Sequence, residues 1–78
     1  MSNRTADIQQ VLSTEDPEFR EWIEEHHRCE HRLNELTAKH EVTTDEELEE
    51  KTLKKRKLLL KDHMAERIRT YETSHANA

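Results

Sequence analysis

The chain has 78 residues and a net charge of -5, with 40% charged residues against 31% apolar ones. A chain this short forms one small domain at most and buries only about 60% of its unfolded surface, so a self-sufficient core is marginal and its few apolar residues must share one face to fold at all. With no glycine and a single proline, the usual material for tight turns and hairpin loops is missing, which argues strongly against a sheet-based fold and leaves an all-α one.

Residues 1–15 are polar apart from Ile8, Val11 and Leu12, whose spacing suits one or two turns of amphipathic helix or a flexible segment. Asp16-Pro17-Glu18 reads as a helix start: Asp16 caps free N–H groups, Pro17 suits the first helical position and Glu18 complements the positive end of the helix dipole. From there Phe19, Trp22, His26, Cys29, Leu33, Leu36 and His40 recur at steps of three and four, with Ile23 beside them. That seam predicts a helix over about 17–39 that meets another helix.

Continued in the same register, the seam lands on Thr43, Glu47, Glu50, Lys54, Lys57 and Lys61, all polar. The helix therefore ends. Val42, Thr43 and Thr44 are successive β-branched residues, and both Thr43 with Glu46 and Thr44 with Glu47 match the capping box, so a link over about 40–44 is predicted. A second helix follows over about 45–72, with Leu53, Leu60, Met64, Ile68 and Tyr71 on its main stripe, and 74–78 form a disordered tail.

A short link makes long helices antiparallel neighbours. The fold predicted is an antiparallel two-helix hairpin, coiled-coil-like, over residues 16–73. Folding about Val42 brings the basic run Lys54, Lys55, Arg56 and Lys57 beside Glu24, Glu25 and Glu30. Leu59 falls on a second stripe with Leu48 and Thr52, nearly opposite the main one, and Leu58 points in a third direction. An isolated hairpin has no use for such a stripe. Leu48 and Leu59 therefore mark a possible second interface, and hairpins are expected to pair into a homodimeric four-helix bundle or a higher assembly.

The segments Asp16-Pro17-Glu18-Phe19-Arg20, Ile23-Glu24-Glu25-His26-His27-Arg28, Leu53-Lys54-Lys55 and Lys57-Leu58-Leu59-Leu60-Lys61-Asp62 resemble the YdcH-like family of small bacterial proteins. The likeness covers about residues 12–68. It implies a small bacterial helical protein with no established biochemical activity, and it carries over no active site. The chain departs from the family pattern at Cys29, where leucine is usual, at His63, where an acidic residue is usual, and at Leu59, where a polar residue is usual.

Candidate chemistry is sparse. Glu24, His27 and His31 lie on one outward side of the first helix, and Glu-x-x-His is the spacing that di-iron bundles use; off the seam, these residues fit a solvated face better than a metal site. His26 and His40 occupy seam positions, where packing is the plain reading and a pH-sensitive contact the sharper one. Cys29 sits one helical step from His26, yet no third residue follows to orient a nucleophile, and a lone seam cysteine packs as a small apolar group. The run Lys54 to Lys57 has the charge of a nucleic-acid patch, but it lacks neighbouring aromatics, and the acidic net charge opposes backbone binding. Trp22 is read as a core anchor or as a hot spot for a partner.

One cysteine forms no internal disulfide, and no long apolar run suggests secretion or a membrane span, so a reducing cytoplasm is expected. The reading is an interaction and oligomerisation protein, not an enzyme and without a cofactor, binding itself and an unidentified protein. A nucleic-acid-associated regulator using residues 54–57 and a metal-binding helical protein using Glu24, His27 and His31 are the alternatives.

Overall fold

The computed structural model describes residues 4–75, which form three helices: α1 (Arg4–Glu15), α2 (Pro17–Ala38) and α3 (Thr44–His75). They make a rod of 53 × 21 × 19 Å. At 1.5 Å per residue, the 32 residues of α3 span about 48 Å and set the long dimension.

Only Asp16 separates α1 from α2. A residue before proline is disfavoured in the helical region, and Pro17 has no N–H to continue the ladder. Asp16 accordingly takes extended dihedrals (φ -113°, ψ 104°), and its carboxylate accepts hydrogen bonds from the Glu18 N–H at 3.1 Å and the Phe19 N–H at 3.2 Å. The bend lets α1 pack against both α2 and α3. Helix α1 is therefore no appendage: Ile8 and Leu12 are buried with the fully buried Phe19, and Trp22, Ile23, Met64, Ile68 and Tyr71 pack around them. Three helices share this end of the rod, where sequence reading expected a two-helix hairpin with a short leader.

Toward the other end α2 and α3 alone form the core, with Cys29, Leu33, Leu36 and Leu60 buried and Leu53 half-buried. Helix α2 stops at Ala38, where the Lys39 N–H donates to the Leu36 carbonyl at 3.3 Å. His40 thus lies outside the helix and is exposed, which corrects its place in the seam. Of the two capping boxes, the chain uses Thr43 with Glu46: the Glu46 N–H donates to the Thr43 hydroxyl at 3.1 Å, and the Thr43 N–H donates to the Glu46 carboxylate at 3.0 Å. The link takes no positive φ, so glycine is not required. Ser74 and His75 belong to α3, three residues beyond the expected helix end, and the remainder of the predicted tail, residues 76–78, lies outside the described residues.

Ion pairs fasten α3 along α2 in reversed order. Arg67 meets Asp16 and Glu18, Arg56 meets Glu25, Lys57 meets Glu30, Arg32 meets Glu49, and Lys39 meets Glu46. The Arg32 guanidinium engages Glu49 through two hydrogen bonds, at 2.8 and 3.0 Å, and Arg56 engages Glu25 in the same way, at 2.5 and 2.9 Å. Two-pronged contacts fix geometry better than single ones.

Candidate functional site

Trp22 spends its ring inside the chain. Arg67 holds its guanidinium 4.8 Å over the indole, His63 stacks on it at 5.1 Å with planes 17° apart, and Phe19 meets it edge-on at 6.2 Å. Arg67 also donates to Glu18 at 2.6 Å and to Asp16, so one guanidinium joins the α1–α2 bend to α3. Partial desolvation opposes ionisation of Asp16, but the Phe19 N–H, Arg67 and the Glu18 N–H outweigh it and hold the carboxyl below its ordinary value. Sequence reading missed Arg67. Its signal lay in the reversed alignment of α3 along α2, which sets it opposite the Asp16 cap, four residues from His63.

His26 lines a groove of about 350 Å³ between the helices, with Gln9, His27, Glu30, Lys61 and Met64 among its walls. Its Nε2 is buried and has no hydrogen-bond partner. Burial pushes the imidazole below its ordinary pKa, Lys57, Lys61 and His27 add to the effect, and Glu30 opposes it. The balance favours the neutral ring, whose Nε2 finds no hydrogen-bond partner among the described residues.

Glu24, His27 and His31 are all exposed, and among the described residues no group of three His, Cys, Asp or Glu side chains is placed to hold a metal ion. Their helical spacing puts them on one side without converging them. His31 instead lies 4.0 Å from Glu35. Cys29 is buried and outside any disulfide, packed as an apolar side chain.

The basic run is divided. Arg56 and Lys57 are taken up by Glu25 and Glu30 of α2, Lys54 lies 3.7 Å from Glu50 one turn back in α3, and Lys55 is exposed. The hydrogen bond from Arg56 holds the Glu25 carboxyl below the usual carboxylate range, and the one from Lys57 does the same for Glu30. Glu24, expected opposite this run, is exposed. What faces outward is a different surface. Leu48 is 64% exposed, Leu58 61% and Leu59 44%, all on α3 and turned from the core that Leu60 enters. Sequence reading placed Leu48 and Leu59 on this side and left Leu58 apart; the structure exposes all three.

No described helix is long and apolar enough to cross a membrane. A family model described as "Protein of unknown function (DUF465)" matches residues 19–76. No curated protein and no solved structure matches the chain.

Proposed function

The chain belongs to the DUF465 family of proteins of unknown function, and from that premise we propose that it is a small bacterial cytoplasmic interaction protein. It acts by helix-face contact and without bond chemistry: a helical hairpin, braced by α1, that associates with further copies of itself and presents the assembly to another protein. One observation carries this reading. The core is closed by Phe19, Cys29, Leu33, Leu36 and Leu60, yet α3 still leaves Leu48, Leu58 and Leu59 in water. Three exposed leucines on one short helical protein form an apolar surface that association removes from solvent.

Sedimentation equilibrium on the full chain, from low to high micromolar concentration, tests the reading. A reversible dimer or larger oligomer supports it. A monomer throughout that range overturns it. Native mass spectrometry of the untagged protein purified from its own host reads the same oligomer together with any co-purifying protein.

A further inference from the structure

The exposed face of α3 carries a charge pattern that runs alongside its leucines. Leu48, Lys55, Asp62 and Arg69 follow one another at seven-residue intervals, as do Lys51, Leu58 and Ala65, and Thr52, Leu59 and Glu66. Seven residues are two helical turns, so these three rows stay on one side of the helix. All ten residues are exposed. The α3 side chains that pair with α2 or the α1–α2 bend, namely Arg56, Lys57, Arg67, Glu46 and Glu49, lie in other rows.

Within this face Lys51 and Lys55 lie on the N-terminal side of Leu58 and Leu59, and Asp62 and Glu66 lie on the C-terminal side, with Arg69 beyond them at the end. No ion pair among the described residues engages Lys51, Lys55 or Asp62. Glu66 pairs with Arg69 one turn away, at 3.4 Å with both side chains 68% exposed, a solvated pair that is easily exchanged.

We propose that two copies dock α3 against α3, antiparallel, about a two-fold axis that passes between Leu58 and Leu59. This deepens, and rests on, the self-association proposed above. About that axis Leu58 meets Leu59 of the other copy, Lys55 meets Asp62, Lys51 meets Glu66, Thr52 meets Ala65, and Leu48 meets Arg69. Leucines sit at the centre, the small Thr52 and Ala65 allow close approach beside them, and opposite charges face each other farther out. At the ends the methylene stem of Arg69 covers Leu48.

The occupant is a second copy because the face is complementary to itself, the requirement of a two-fold interface. The direction is antiparallel because parallel docking sets Lys55 against Lys55 and Asp62 against Asp62. Antiparallel docking also opposes the helix dipoles. From Leu48 to Arg69 the contact runs about 32 Å at 1.5 Å per residue.

The test uses the full chain carrying Lys55→Glu in one preparation and Asp62→Lys in another, with association constants from sedimentation equilibrium and species from native mass spectrometry. Both residues are exposed and, among the described residues, have no ion-pair partner, and circular dichroism checks that both variants keep wild-type helix content. Lys55→Glu alone sets the introduced carboxylate against Asp62 twice per dimer, and Asp62→Lys alone sets the introduced ammonium against Lys55 twice. Each homodimer is expected to weaken roughly tenfold or more.

An equimolar mixture restores one opposite-charge contact and leaves the introduced groups facing each other across the second, again as opposite charges. It is expected to form heterodimers of near wild-type affinity. Statistical mixing, or single variants that associate like wild type, overturns this face and register while leaving self-association standing. A wild-type chain that stays monomeric overturns the self-association reading itself, and the proposed docking with it.

Discussion

Replacing His26 by leucine should stabilise the protein. The Nε2 atom is buried without a partner, and an unsatisfied buried polar group costs about 1–3 kcal/mol. The rest of the ring borders an open groove, so the lower part of that range applies, about 1–2 kcal/mol. Leucine has nearly the same bulk, removes the orphaned nitrogen and adds apolar contact toward Ile23 and Met64, which line the same groove. For a domain of this size, about 1 kcal/mol moves Tm by roughly 4–8 °C, so a rise of about 5–15 °C is expected.

The pH dependence sharpens the test. Burial, with Lys57 and Lys61 nearby, lowers the folded-state pKa of His26 below its unfolded value of about 6.5, while Glu30 opposes the shift. As pH falls, the unfolded chain takes up this proton first, so the wild type is fully stable above about pH 6.5 and loses stability from there down through the lowered folded value. The leucine variant lacks that contribution, and its advantage should widen as pH falls from about 8 to about 5. Urea and thermal melts followed by far-ultraviolet circular dichroism, at one fixed protein concentration, measure both quantities. A variant less stable than wild type refutes the account, as does an advantage that stays constant across that pH range.

Trp22→Ala removes the surface on which His63, Arg67 and Phe19 converge and should cost about 3 kcal/mol, visible as a lower urea midpoint. Arg67→Ala unlinks the α1–α2 bend from α3 and should cost about 1–2 kcal/mol; its effect and that of Asp16→Ala should be non-additive in a double-mutant cycle, because they remove one interaction. Leu12→Ala should destabilise by about 2–3 kcal/mol, whereas a leader docked on nothing would leave the melt unchanged. Acid should weaken the cross-helix fastening in a separate window. Asp16, Glu25, Glu30, Glu46 and Glu49 all have lowered folded-state values, so their contribution is present above about pH 4.5 and is lost as pH falls through those values, which a melt series in acid measures.

The all-helical class was legible because the absence of glycine closes the alternatives and because the spacing of Phe19, Cys29, Leu33 and Leu36 repeats with the helix. The Asp16-Pro17 break and the Thr43–Glu46 box were legible for a related reason: backbone capping is local chemistry, written within four residues. The role of α1 was not. Ile8 and Leu12 alone are too few to distinguish a docked helix from a frayed one, and what settles the matter is the bend at Asp16 that lays them on Phe19, a contact between segments. His40 was misplaced because periodicity continues on paper after the chain has left the helix. Arg67 was hidden because a salt-bridging residue has no periodic signature, and its partners Asp16 and Glu18 lie 51 and 49 positions away. Leu58 stood apart because its direction differs from that of Leu59 by one helical step; only the width of the exposed face brings them together.

The fasteners between α2 and α3 change sign along the rod. Near the α1–α2 bend α2 and its N-cap supply the acids, Asp16, Glu18, Glu25 and Glu30, while near the link α2 and its C-cap supply the bases, Arg32 and Lys39. Leucine seams tolerate a slip of one heptad, since leucine again meets leucine. Here a slip one way sets Glu25 against Glu49, and a slip the other way sets Arg32 against Arg56. The reversal of sign works as a vernier: two graduated scales that agree at one setting only, so that helices with few large side chains and no glycine to mark a turn still find a single alignment.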